Sequence, residues 1–125
     1  MSEAGRYRVG PAADLPERGC VLARAGEVEV GVFRVQGELY AYENRCRHQG
    51  GPVCRGDVLP RTEERIGAGG VSLGLVESGD RLDIACPWHG WEYDLQTGEH
   101  IGDRSVRLRS FPVWEEGGDV FVEVA

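Results

Sequence analysis

The stretch that decides the fold is Cys86-Pro-Trp-His-Gly-Trp-Glu-Tyr-Asp-Leu-Gln-Thr-Gly98, read together with the earlier stretch Asn44-Arg-Cys-Arg-His-Gln-Gly-Gly-Pro52. Each stretch pairs one Cys with one His inside turn-rich sequence. The four side chains with metal-binding chemistry are Cys46, His48, Cys86 and His89. Two thiols and two imidazoles carried by two short segments predict a metal site, because both groups are strong ligands of transition metals.

Two kinds of metal site suit these ligands. One is a zinc ion, and the other is a two-iron two-sulfur cluster in which two Cys hold one iron and two His hold the other. Zinc sites usually pair like with like, in C-x₂₋₄-C and H-x₃₋₅-H segments. Here each segment mixes Cys with His, so that each loop can offer one ligand to each iron. The spacing favours the cluster, and zinc is the alternative.

Glycines stand beside both pairs. Gly50, Gly51 and Gly90 allow the backbone to turn sharply, with positive φ where required, and to bring N–H groups close to cluster sulfides. Such hydrogen bonds stabilise the extra negative charge of a reduced cluster. Ordinary turn formation explains the same glycines, and the two explanations are compatible.

In these two stretches the chain resembles the Rieske iron-sulfur family, and within it the soluble ferredoxins of bacterial oxygenase systems. The second stretch is the more specific of the two. The resemblance implies one 2Fe-2S cluster whose iron is bound by Cys46, His48, Cys86 and His89. It also implies an all-β fold, an antiparallel β-sandwich with a small inserted cluster-binding lobe.

The length of 125 residues predicts a single domain over 1–125, with the lobe at about 44–98. The segment between His48 and Cys86 is longer than in most members of the family. We assign the excess to an insertion at 57–80 and expect an extra hairpin or flap, because surface loops tolerate insertion. A role in partner choice and a neutral extension are both open.

Alternating apolar residues and turn signals predict strands along most of the chain. A short turn is predicted over Ala12–Pro16, and helix signal is otherwise weak. The predicted strands are 28–35, 39–42, 71–76, 81–85, 91–95, 106–114 and 119–124. The turn signal Ser78-Gly79-Asp80 separates the strand 71–76 from the strand 81–85.

Respiratory Rieske proteins carry an additional Cys in each ligand loop, and the resemblance implies that this chain lacks the corresponding disulfide. We expect Cys20 and Cys54 to be buried or semi-buried free thiols, with redox sensing as a minor alternative. The respiratory type also directs a Ser and a Tyr hydroxyl toward the cluster sulfurs. This chain has Trp91 at the Ser position and keeps Tyr93, which predicts a reduction potential in the lower part of the Rieske range.

The number of His residues argues against a catalytic subunit. A Rieske oxygenase also needs a mononuclear iron held by two His and a carboxylate. The chain has three His, two of which are assigned to the cluster. His100 alone cannot build that second site, so we expect an electron carrier rather than an enzyme, with His100 in a turn or at the surface.

Charge and hydropathy restrict the partners and the compartment. The net charge of −7 argues against nucleic acid, and no apolar run is long enough to span a membrane. All basic residues are Arg, which is typical of a GC-rich bacterial genome. A start without a signal-peptide pattern, together with thiolate ligands, predicts a cytoplasmic protein.

The predicted function is electron transfer by a ferredoxin component, from a ferredoxin reductase to a terminal oxygenase or other redox protein. The alternative is an accessory or redox-sensing Rieske subunit of a larger oxidoreductase complex. Arg45, Arg47 and Arg55 flank the first ligand pair, although the whole chain is acidic. They form either a solvated rim or a docking surface for the partner.

Overall fold

The computed structural model describes residues 5–47, 50–88 and 90–124, without the side chains at 63–65 and 76–80. The described chain is built of strands joined by turns and by short 3₁₀ turns at Ala12–Asp14, Val53–Arg55 and Ala68–Gly70. The strands are β1 (Arg6–Pro11), β2 (Cys20–Ala25), β3 (Val28–Val35), β4 (Glu38–Glu43), β5 (Asp57–Ile66), β6 (Ser72–Ala85), β7 (Glu92–Asp94), β8 (Val113–Glu116) and β9 (Asp119–Glu123). The predicted all-β class is confirmed.

These strands form three antiparallel sheets with the orders β1-β9-β8, β2-β3-β4 and β5-β6-β7. Strand β3 contributes to two hydrophobic cores because both of its faces are apolar. Val30 and Val32 pack with the β1-β9-β8 sheet, whereas Phe33 and Val35 point toward the β5-β6-β7 sheet. The period of two in a strand explains this division of neighbouring residues between two cores.

The glycine that interrupts β3 makes room for the first ligand loop. A Cβ on Gly31 would lie 2.5 Å from both Cβ and Sγ of Cys54, which belongs to the 3₁₀ turn following that loop. Gly56, at the end of the same turn, approaches the backbone of β6 so closely that a Cβ would lie 1.7 Å from the carbonyl oxygen of Ala85. Both glycines are therefore required by close packing beneath the loops.

The segment predicted as an insertion forms most of a long antiparallel hairpin, β5–β6. Its base pairs Asp57 with Ala85, directly between the two ligand loops. Strand β5 has 10 residues, so its far end lies about 30 Å from the base at the usual rise per residue. The distal part exposes apolar side chains, among them Leu73 and Leu75.

Two predicted strand boundaries were wrong. Strand β6 continues through Ser78-Gly79-Asp80, where the register with β5 shifts between the pairs Thr62–Glu77 and Pro60–Leu82, so the local turn signal marks a bulge within one strand. The strand predicted over 106–114 is reduced to β8 and isolated bridges at Arg107 and Ser110. Strands β1 and β2 were not identified individually from the sequence.

A buried ionic network fixes the hairpin to β7. The carboxylate of Asp94, fully buried, accepts hydrogen bonds from Arg61 on β5, at 2.8 Å, and from Arg81 on β6. Arg61 also pairs with buried Asp83, at 2.8 Å. The other oxygen of Asp94 accepts the N–H of Gln96, at 2.8 Å, and that of Thr97 in the following turn. The network was not predicted from the sequence.

Candidate metal centre

The first ligand loop is closed by two backbone hydrogen bonds around Cys46. The N–H of Cys46 donates to the carbonyl oxygen of Gly51, at 2.7 Å, and the N–H of Gly50 donates to the carbonyl oxygen of Cys46, at 2.9 Å. Gly50 has φ +77°, in the left-handed region that favours glycine. This conformation returns the chain to its starting point beside Cys46.

The second ligand loop repeats the same hydrogen bonds at the same spacing. The N–H of Cys86 donates to the carbonyl oxygen of Trp91, at 2.8 Å, and the N–H of Gly90 donates to the carbonyl oxygen of Cys86, at 3.1 Å. Gly90 has φ +71°. Two loops of different sequence thus present their Cys in equivalent local structure, which is what a centre with one Cys from each loop requires.

The two Cys side chains lie together in the core. Cys46 and Cys86 are buried, and their thiols are within hydrogen-bonding reach of each other. The other two predicted ligands, His48 and His89, lie outside the described residues. In the described part of the chain no third Cys, His, Asp or Glu joins the two thiols.

Two donors face the sulfur atoms. The backbone N–H of Trp88 acts on the Cys86 thiol and opposes the rise that burial causes in its pKa. The hydroxyl of Tyr93 lies 3.2 Å from Sγ of Cys46 and accepts the N–H of Arg47 at 3.0 Å. Burial, and next the contact with Cys46, raise the pKa of Tyr93, so the phenol keeps its proton. Since a metal-bound thiolate has no proton, the Tyr93 O–H would donate to Cys46.

This donor set fits a 2Fe-2S cluster. Burial raises the pKa of Cys86, so the free thiol holds its proton and an iron ion would have to displace it. The resulting buried charge would be stabilised by the hydrogen bonds at Trp88 and Tyr93. When bound, the cluster supplies reversible one-electron chemistry, and the protein contributes the ligands, the donors and the exclusion of water.

The surface around the loops combines an exposed aromatic ring with basic residues. Trp88 is 50% exposed and lies over Gly51, where a Cβ would be 2.8 Å from the indole ring. Gly51 is therefore required by packing and not by positive φ. Arg45, Arg47 and Arg55 are exposed, and none has an acidic partner within 4 Å in the described part of the protein.

His100 is not the simple surface residue that the sequence suggested. It is half-buried, and its ring centroid lies 4.3 Å from that of Trp91 and 5.5 Å from that of Tyr93. Its aromatic partners are nine and seven residues away, so only the pairing of its backbone with Tyr93 brings them together. The sequence carried no direct signal for this contact.

The remaining cysteines differ from each other. Cys54 is buried, as expected, and burial raises its pKa. Cys20 is exposed, which corrects the expectation for that residue, although its Sγ turns toward the carbonyl oxygen of Cys54 at 3.5 Å. Desolvation of that sulfur raises the pKa of Cys20 to about 11. Thiols held in the protonated form argue against the redox-sensing alternative.

Comparisons with known proteins agree on the family. Residues 5–112 match the family model described as the Rieske [2Fe-2S] domain. The chain is 30% identical over 115 residues to the 3-phenylpropionate/cinnamic acid dioxygenase ferredoxin subunit of Escherichia coli (strain K12), covering 91% of this chain and 89% of the relative.

Solved structures give the same result. The ferredoxin of carbazole 1,9a-dioxygenase from Nocardioides aromaticivorans IC177 matches with a TM-score of 0.67 and 20% identity, over 97% of this chain and 99% of that one. A chain in a complex of reduced oxygenase and oxidised ferredoxin of carbazole 1,9a-dioxygenase matches with a TM-score of 0.67 and 25% identity, over 94% and 92%. The family match and the paired thiols lead to the same conclusion. The chain belongs to the Rieske [2Fe-2S] domain family and carries one Rieske-type 2Fe-2S cluster.

Proposed function

We propose that this protein is the ferredoxin component of an oxygenase system, taking single electrons from a ferredoxin reductase and passing them to a terminal oxygenase. The observation that carries the proposal is the pair of equivalent loops that bring Cys46 and Cys86 together beside Tyr93. In this proposal His48 and His89 complete the ligand set at the loop tips, where the electron leaves. The protein is an electron carrier, like the ferredoxin subunits to which it is similar.

The proposed domain organisation is one Rieske domain over 1–125 with a cluster-binding lobe at about 44–98. The family match over 5–112 and the β5-β6-β7 sheet between the ligand loops support it. In the described residues no helix is long and apolar enough to cross a membrane. We place the protein in the cytoplasm because thiolate ligands suit a reducing compartment.

The alternative function, an accessory or redox-sensing subunit, is less well supported. The relatives are named as ferredoxin subunits, and one solved ferredoxin chain is in complex with an oxygenase. A stopped-flow assay separates the two functions. A ferredoxin is reduced stoichiometrically by a reductase and is then reoxidised when an oxygenase is added. A chain that is reduced but is not reoxidised by any oxygenase would support the sensing function.

Replacing Tyr93 with Phe is expected to lower the reduction potential while the cluster stays bound. The variant keeps the buried ring but removes the O–H that lies 3.2 Å from Sγ of Cys46. Loss of one hydrogen bond of about 1.4 kcal/mol to the reduced state corresponds to a shift of about 60 mV for one electron. Potentiometric titration followed by visible absorption measures it. Tyr40→Phe, on β4, is the control, and an equal shift there would refute the assignment.

Replacing Arg47 with Glu is expected to slow electron transfer to the partner through a lower association rate, roughly tenfold at low salt. Arg47 is exposed next to Cys46, and a positive surface there steers an acidic partner although the whole protein is acidic. Stopped-flow measurements at low and moderate salt separate association from the transfer step.

The matched charge reversal is Glu116→Arg in the β8–β9 hairpin, on the β1-β9-β8 sheet. It changes the net charge by the same amount in the opposite sense and should alter the association rate far less. If Glu116→Arg has the larger effect, the partner does not dock at the ligand loops. The exposed distal part of the β5–β6 hairpin, with Leu75, is then the next surface to test.

A further inference from the structure

His100 belongs to an aromatic cluster with Trp91 and with Tyr93, whose hydroxyl faces Cys46. Its ring centroid lies 4.3 Å from that of Trp91, and 5.5 Å from that of Tyr93 in a T-shaped arrangement with an interplanar angle of 73°. Trp91 and Tyr93 are themselves 6.5 Å apart, so the three rings are in mutual contact. Edge-to-face and tilted pairs of this kind are favourable and restrict the orientation of each ring.

The imidazole is held from its outer side by the turn that follows it. The N–H of Asp103 donates to Nδ1 of His100, at 3.0 Å, which places the ring proton of the neutral imidazole on Nε2. A Cβ on Gly102 would lie 3.0 Å from Cε1 of His100, so the turn packs closely on the ring. This turn is closed by a backbone hydrogen bond, in which the N–H of Val106 donates to the carbonyl oxygen of Asp103 at 3.0 Å.

The backbone of His100 is also paired. It forms an isolated bridge with Tyr93, and its N–H donates to the carbonyl oxygen of Val106 at 2.8 Å. Removing the side chain would leave these main-chain bonds in place. The ring can therefore be tested separately from the strand arrangement that carries it.

We propose that His100 is a positioning residue for Tyr93. Clamped between the turn at 101–105 and the rings of Trp91 and Tyr93, it keeps the Tyr93 hydroxyl at Sγ of Cys46 and in this way raises the reduction potential of the cluster. The inference rests on the proposed function only to the extent that Cys46 holds iron. It needs no change in the charge of His100.

The direction of the effect follows from the geometry. Tyr93 is completely buried, and its hydroxyl is fixed to the first ligand loop by the N–H of Arg47 as well as by Cys46. Without the imidazole, Trp91 and Tyr93 lose a ring that packs on both of them, and each can tilt into the space that it leaves. A longer O–H···S contact stabilises the reduced cluster less, so the potential falls.

A double-mutant cycle tests the proposal. Midpoint potentials are measured at one fixed pH for the native protein, His100→Ala, Tyr93→Phe and the double variant, with iron content determined for each. We expect His100→Ala to lower the potential in the same direction as Tyr93→Phe and by less. In the Tyr93→Phe background, His100→Ala should cause almost no further shift.

His100→Phe provides the conservative variant, because a phenyl ring restores the stacking and lacks Nδ1. It should keep a potential close to the native value. The thiolate-to-iron absorption band should follow the same order as the potentials, which gives a second readout. An unchanged potential in His100→Ala, or an equal shift in both backgrounds, would overturn the proposal. If His100→Ala does not hold iron, the comparison of His100→Leu with His100→Phe decides the question in the same way.

The result also separates this inference from the proposed function. If the native protein contains iron and has a measurable potential, the cluster assignment stands whatever the result for the His100 variants. A native protein without iron would refute the cluster itself, and no electron transfer to an oxygenase enters the test.

Discussion

Cys86→Ala is expected to abolish cluster binding, with iron falling from about two per chain to near zero. Cys86 is buried beside Cys46 in a loop whose hydrogen bonds match those of the first loop. Without its thiolate one iron loses half of its protein ligands. Iron and acid-labile sulfide assays, together with visible absorption, measure the loss.

Cys20→Ala is the matched control for that loss. Cys20 is a free thiol at the start of β2. Its sulfur contacts the carbonyl oxygen of Cys54, away from the thiols of Cys46 and Cys86. The variant should keep its full iron content. Loss of iron from Cys20→Ala with retention in Cys86→Ala would reverse the ligand assignment.

Asp94→Ala is expected to destabilise the protein by about 3 kcal/mol, because Arg61 and Arg81 lose the carboxylate that they share and the N–H groups of Gln96 and Thr97 lose their acceptor. Asp94 is fully buried and joins Arg61 and Arg81 to β7. Denaturant unfolding followed by circular dichroism measures the change. Asp119→Ala removes the ion pair with Arg8, whose side chain is 54% exposed, and should change stability by less than about 1 kcal/mol. Similar losses in both variants would contradict the role assigned to the network.

The same carboxylate gives the stability a defined dependence on pH. Burial by itself would raise the pKa of Asp94, but hydrogen bonds from Arg81, Arg61 and the N–H of Gln96 together hold that pKa below its ordinary value. A lowered folded-state pKa adds stability above the unfolded value of about 3.9, and this stability is lost as pH falls through the folded value. Native protein should therefore lose stability below about pH 4, and Asp94→Ala should show less of that loss.

The two ligand loops around Cys46 and Cys86 could be predicted largely from two short stretches, because each loop is a local structure. Gly50 and Gly90 adopt the positive φ that their places in the loops suggested, and Tyr93 faces Cys46 as the resemblance implied. Glycine is required at position 51 for a different reason, because a side chain there would collide with the ring of Trp88. Local sequence indicated that glycine was needed, but only the packing shows why.

The parts that could not be predicted depend on contacts between distant segments. Asp94 meets Arg61 and Arg81 across three strands, and nothing in the sequence near any of them identifies the partners. Strand β3 was predicted with its observed bounds because its alternation is local, whereas the turn-like tripeptide of β6 is a bulge inside a strand that pairs with β5 on either side of it. His100 is positioned in the same way, by strand pairing with Tyr93.

The presence of a 2Fe-2S cluster that carries one electron is tested by counting electrons and metal in the same sample. Anaerobic titration of the purified protein with a one-electron reductant, followed by visible absorption and combined with iron and sulfide analysis, is the measurement. A red-brown protein with about two iron and two sulfide per chain that takes up one electron is expected. A colourless protein that contains one zinc ion and takes up no electron would contradict this expectation.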